Sequence, residues 1–425
     1  MIRRKEYKFA RTCPLVLAAR SVITRNSRVF VVLTALCLCG SGSSLAQTFT
    51  TLYKFGAGGN PEAGLVQGAD GNLYGTTFGY LGKRNGTIFK ITPSGTFTAL
   101  NGGGEFAAAL IQGTDGNLYG TMFAGGSPGN GTVFKISPSG TVTTLYSFGF
   151  PPSASFPRAA LLKGTDGNFY GTTYYGGTNS CIYGGTNYGC GTIFKITPSG
   201  TLTTLYSFCS KSDCADGQAP DAPLLEGTDG NFYGTTYYGG KTACSGGCGT
   251  IFKITTTGSL TTLHSFHSSD GANPAAGLIL AKDGNFYGTT YDGRSSACSS
   301  GCGTIFKITT AGTLKTLHSF DSTDGANPIA PLIQASDGNF YGTTGSGGAN
   351  FRGTIFKVTT SGTLTTLHGF DGTDGSMPTA LVQGTNGIFY GTTEFGGNDN
   401  YHFCQGTCGT IYSLSIGLDA KIAQN

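Results

Sequence analysis

Tryptophan is absent from this 425-residue chain, methionine occurs three times and histidine five times, and charged residues make up only 11% of it. A chain so poor in charge, with no sustained helical periodicity after residue 47, argues against helical bundles and for short strands joined by tight turns. A basic stripe is missing as well. The formal charge of +4 comes from residues 1–28, which hold eight Lys or Arg against one acidic residue; beyond them stand 18 basic and 21 acidic residues. Nothing in that mildly acidic remainder would attract a phosphate backbone, so nucleic acid is not an expected partner. There is no zinc-binding helix or phosphate loop. No cofactor or metal is expected.

Glycine is abundant, at 72 residues, and it falls in a repeat. The string DGNFYGTT at Asp166–Thr173 returns with small changes from Asp70, Asp115, Asp229, Asp283, Asp337 and Asn386, giving seven units spaced 45 to 63 residues apart. A period of this size in a strand-rich chain points to one repetitive body, a propeller or solenoid. Within the unit from Ala159 to Phe208, four runs rich in Thr, Ile, Phe and Tyr are bounded by Gly, Asp, Asn or Pro. These are the marks of a four-stranded antiparallel meander, strands a to d. TLTTLYSF-like d runs follow units one to six but not unit seven, and a matching run, Thr48–Phe55, precedes unit one. An N-terminal strand that completes the last blade closes a ring and leaves no open edge. The expected fold is therefore all-β, a seven-bladed β-propeller over residues 47–417, followed by a short polar tail at 418–425.

Residues 1–46 read as a signal peptide: a basic leader, an apolar run from Val29 to Cys39, and small residues ending Ser44-Leu45-Ala46. The apolar run is short for a membrane span, so a secreted or periplasmic monomer with no span in the mature chain is expected. Cysteine usage agrees. Ten cysteines form five close pairs, Cys181 with Cys190, Cys209 with Cys214, Cys244 with Cys248, Cys298 with Cys302 and Cys404 with Cys408, which read as disulfides stiffening surface loops. No pair has further Cys or His at ligand spacing, which disfavours zinc.

The ordered motifs DGN(L/F)YGTT, GTIFKIT and TLTTLYSF, running from Thr48 to Ile416, resemble those of the GloVer tandem-repeat, choice-of-anchor proteins, and more distantly NHL-type propeller repeats. The resemblance implies an exported propeller. After Gly417 stands only LDAKIAQN, without the hydrophobic tail of an anchored member, so a freely secreted or periplasmic protein is expected as readily as a surface-retained one.

In such a blade the a–b and c–d turns share one face of the disc, and the b–c and d–a loops share the other. The first face is uniform; the second varies in length and holds the cysteines, so recognition is expected there. Its candidates are Tyr174, Tyr175, Tyr237, Tyr238 and Tyr291, with Arg294, Arg352 and Glu394 as polar partners, a set suited to extracellular carbohydrate or to a protein. The bland alternative is that the aromatics wedge between blades. A ring at the ends of the a strands, including Lys163, Glu226, Gln334 and Gln383, supplies the enzyme alternative, a hydrolase or lyase at the central channel in which Lys163 and Glu226 act as a charged pair. A simple salt bridge explains that pair as well. The recurrent Lys of strand c (Lys90, Lys135, Lys195, Lys253, Lys307, Lys357) is expected to pack its stem between blades and reach solvent, and Gly171 to admit close packing between stacked blades.

Overall fold

The computed structural model describes residues 47–56, 59–79, 86–106, 108–150, 153–240, 244, 246–397 and 409–418. The chain divides into two units, of which Met1–Leu45 lies outside the described residues, as do most of the leader expectation, the Cys404 and Cys408 pair and the tail beyond residue 418. The second unit is a seven-bladed propeller. In the third blade strand a is Leu162–Lys163, b is Phe169–Thr173, c is Thr192–Ile196 and d is Leu202–Ser207, all antiparallel. The seventh blade takes Ser376–Gln383, Phe389–Phe395 and Thr410–Ser415 from the end of the chain and Thr48–Lys54 from its beginning. Thr48 pairs with Ser415 and Lys54 with Thr410.

Alternation along strands b and c sends one set of side chains to each face of a blade. Tyr170 and Ile193 of blade three pack against Leu224, Phe232, Phe252 and Ile254 of blade four, and this pattern fills all seven seams, including that between Tyr390 and Ile411 of blade seven and Leu65, Leu73, Phe89 and Ile91 of blade one. The core is thus seven inter-blade layers arranged around an axis. Gly171 lies opposite Phe194 in the register, and a Cβ there would stand 2.5 Å from the Phe194 ring. The close neighbour is therefore strand c of the same blade rather than the next blade: the ring lies across the glycine and reaches the seam from there.

The two threonines of GTT have separate tasks. The second bonds within its blade, Thr173 Oγ1 lying 2.8 Å from Thr192 Oγ1. In six blades the first donates across the seam to a carbonyl at or just before the next strand a: Thr76 to Ala108, Thr121 to Ala159, Thr172 to Ala222, Thr235 to Ala276, Thr343 to Thr379 and Thr392 to Ala63; in blade five the Thr289 hydroxyl is buried without a partner. These buried bonds stitch the blades together near the axis, and the last one closes the ring.

The recurrent lysine does not run free into solvent. Lys195 Nζ lies 2.9 Å from Asp166 Oδ2, which also accepts from the Tyr170 hydroxyl at 2.8 Å and from Asn168, so strand c is tied to the a–b turn of its own blade. Blades four, five and six repeat the ion pair. Partial burial pushes Asp166 up, but the bonds from Lys195, Asn168 and Tyr170 outweigh it and hold the carboxyl well below the usual range. Blade seven replaces both partners, with Asn386 for Asp and Ser413 for Lys, and keeps only the bond from Asn386 to the Tyr390 hydroxyl.

Candidate axial site on the variable face

The d–a segments leading into blades three to seven turn from the outer edge of the disc towards the axis through one residue before a proline. Phe156, Ala219, Asn273, Asn327 and Met377 all take left-handed φ of 52 to 58° there. Asn is suited to this backbone, and Asn273 and Asn327 add side-chain bonds to the carbonyls of Tyr237 and Tyr291 in the preceding blade. The residue after the proline then arrives at the mouth of the axial channel. In blades one, three and four it is Glu62, Arg158 and Asp221; around the ring the lining is mostly Ala, Gly and Pro, enclosing a cavity of about 170 Å³. Charge therefore collects at one point in an otherwise small, apolar ring.

The first residue of each b–c loop stands beside this mouth, because its N–H bonds the d–a segment: Tyr174 to Phe156, Tyr237 to Ala219 and Tyr291 to Asn273. Arg158 makes an ion pair with Asp221 at 3.4 Å and lies over the rings of Tyr174, at 5.1 Å, and Phe123, at 5.7 Å. Burial and the nearby Glu394 carboxylate push Glu62 up to about 7 against the pull of Arg158. Burial alone takes Glu394 to about 7 and Asp292 to about 6, and raises Asp221 in spite of Arg158. Desolvation also raises the phenols of Tyr174 and Tyr237. Near neutral pH the mouth thus offers carboxyl groups able to donate as well as accept, one paired guanidinium and several half-buried rings.

Of the residues expected from the sequence, Tyr174, Tyr175, Tyr237, Tyr238 and Tyr291 come together here, within electrostatic reach of Arg158, Asp221 and Asp292, and Glu394 meets Glu62. Arg294 and Arg352 turn to the d–a loops instead: Arg294 Nη1 donates to the Ser269 carbonyl at 3.0 Å, and Arg352 packs its guanidinium against Gly372. At the opposite end of the channel Glu226 accepts from the N–H and hydroxyl of Thr165 in blade three, at 2.9 and 2.6 Å, and makes no ion pair with Lys163 among the described residues. Gln334 accepts from the Lys282 N–H and Gln67 from that of Thr385, so this ring also fastens neighbouring blades. Gln383 donates to the Gly387 carbonyl, and its own carbonyl oxygen is buried without a partner. Among the described residues there are four disulfides, Cys181–Cys190, Cys209–Cys214, Cys244–Cys248 and Cys298–Cys302, each on a b–c or d–a loop. Among the described residues no helix is long and apolar enough to cross a membrane.

Sequence reading missed Glu62, Arg158 and Asp221. The signal was the column after proline in the motif Pro-x-Ala-x-Leu: Pro61-Glu62-Ala63, Pro157-Arg158-Ala159, Pro220-Asp221-Ala222 and Pro274-Ala275-Ala276 differ only at the residue that reaches the mouth.

A family profile described as Gloeobacter/Verrucomicrobia repeat matches residues 41–181, 179–301 and 244–419. No curated protein matches the chain. Among solved structures it is similar to a luciferin-regenerating enzyme (12% identity, TM-score 0.46, 88% of this chain and 98% of that one) and to a candidate gluconolactonase (10% identity, TM-score 0.42, 89% and 95%). With three matches spanning the propeller, the chain belongs to the Gloeobacter/Verrucomicrobia repeat family.

Proposed function

We propose that this protein is an exported binding module that takes carbohydrate at the axial mouth of its variable face. The observation that carries the reading is the contrast between the two ends of the channel. At the uniform end, Glu226, Gln334 and Gln67 are engaged in holding the blades together. At the variable end Glu62, Arg158 and Asp221 line a small apolar pit, with Glu394 near Glu62 and tyrosines beside Arg158, and hydroxyl-rich ligands suit that mixture of donors, acceptors and ring faces. Two further features favour this face. Among the described residues, the three strongly exposed large apolar side chains, Phe150, Ile182 and Phe351, stand on its loops. The disulfides stiffen the same loops, which lowers the ordering cost of binding and fits an oxidising compartment.

Calorimetric or NMR titration of the intact protein with neutral mono- and disaccharides tests the reading. Tyr174→Ala with Tyr237→Ala is expected to weaken binding by about tenfold or more; no binding by the parent, or unchanged binding by the double variant, discards it. The enzyme reading keeps one supporting observation, since two carboxyls held protonated near pH 7 suit proton transfer to a bound glycoside. Product analysis in the same titrations separates the two.

A further inference from the structure

Resting on the carbohydrate reading, we infer that the ligand is an extended, neutral glycan chain that runs from the axial mouth outward across blades two and three. Six half-buried rings from three blades form a continuous path. Phe78 lies 6.4 Å from Phe123, Phe123 5.1 Å from Phe156, Phe156 5.8 Å from Tyr175, Tyr175 5.1 Å from Tyr188, and Tyr188 6.5 Å from Tyr183. These steps are close to the length of one pyranose unit, and one side of the path borders the mouth through Arg158, which lies over Phe123.

Phe156 is the most informative member. It holds φ 58°, a backbone state costly for a large side chain, at a repeat position that other blades fill with Ala219, Met377 or, gaining a hydrogen bond, Asn273 and Asn327; among these it is the one aromatic ring. A phenyl ring kept under strain where asparagine would relieve it points to a task for the ring itself. It also joins the blade-two aromatics to the blade-three tyrosines.

The flanking segments Phe123–Asn130, Ser153–Pro157 and Tyr174–Cys190 contain no Asp, Glu, Lys or Arg, but do contain Asn130, Ser153, Thr178, Asn179 and Thr186. Among the described residues the charged side chains beside the path are Arg158 and Glu105, of opposite sign, so neither a polyanion nor a charged peptide meets a run of counter-charges there. Uncharged hydroxyls and amides beside ring faces are the partners a neutral sugar chain requires. The platform is preformed. The b–c loop of blade three carries its own hairpin (Ile182–Tyr183 with Thr186–Asn187), the Cys181–Cys190 disulfide closes the loop at its base, and Gln218 of the next d–a loop donates to the Tyr183 hydroxyl at 3.2 Å.

The test uses the intact, oxidised protein and two probe sets: the free monosaccharides glucose, xylose, mannose and N-acetylglucosamine, and their β-linked oligomers of increasing length. Affinity is expected to rise on the order of tenfold between one unit and four, from successive ring contacts. Phe156→Asn is expected to melt above the parent, to bind monosaccharides within about twofold of it, and to lose most of the gain with length. Tyr183→Ala with Tyr188→Ala should shorten the length at which the gain levels off. Monosaccharide binding with no gain on lengthening, or a Phe156→Asn protein that keeps the gain, overturns the extended platform while leaving the axial site intact. Failure of every saccharide to bind overturns both.

Discussion

At the scale of single residues, the fold sets titratable groups against each other on its two faces. Burial keeps Glu62 and Glu394 protonated up to about pH 7, well above the unfolded value. Between about pH 4.5 and 7 the unfolded chain releases these protons while the folded one retains them, so the pair's contribution to stability is full below that window and lost as pH rises through it. The expected loss is on the order of 5 kcal/mol for the two groups together, to be read from urea titrations at pH 5 and pH 8, and Glu62→Gln with Glu394→Gln should flatten it. The Asp166-type networks have the opposite sign. Their stability is present above the ordinary aspartate range and falls as pH drops towards 2, the value at which Asp283 is held by Lys307, Asn285 and Tyr287 against its partial burial. A shallow maximum in mildly acidic solution follows from the two together.

At the scale of elements, each outer strand carries an extra residue, a bulge that increases its twist, and that of blade one carries a second at Gly103. The residue passed over in the register is leucine in all seven blades: Leu52, Leu100, Leu145, Leu205, Leu263, Leu317 and Leu367. In six of the seven its carbonyl faces the c–d turn glycine of the following blade, as Leu145 faces Gly200, and the Leu367 carbonyl accepts from Gln47 instead. Gly200 has φ 96°, and a Cβ there would stand 2.5 Å from the Leu145 oxygen, so Gly200→Ala meets both a strained backbone and a clash. Destabilisation of ~1–3 kcal/mol is expected by chemical denaturation. Gly167, with φ 80° and open space around its Cβ position, is the control, and Gly167→Asn should be nearly neutral. The glycine and the leucine were both visible in PSG and TLTTLYSF, but two motifs about fifty residues apart meet only once consecutive blades stack.

At the scale of the whole molecule, the ring depends on one strand contributed from the other end of the chain. Removing Thr48–Phe55 would expose the edge of Thr410–Ser415, take Phe55 from the seam between blades seven and one, and break the stack of Phe49 on His368 at 3.8 Å. The truncated protein is expected to aggregate or to lose its cooperative melt in size-exclusion and calorimetric measurements. Such closure was legible in the sequence because a missing d run in unit seven and a spare one before unit one can be counted. The mouth was only half legible. Its tyrosines follow directly on GTT, but Glu62, Arg158, Asp221 and Glu394 come from blades one, three, four and seven, and only ring closure makes them neighbours.

The axial stitches join a threonine hydroxyl to a backbone carbonyl, and neither group gains or loses a proton in ordinary solution. Immediately beside them stand acids that titrate at about 6 and 7. Proton concentration can therefore act as a dial on recognition, retuning which groups at the mouth donate and which accept, while the seams next to that mouth are insulated from the change.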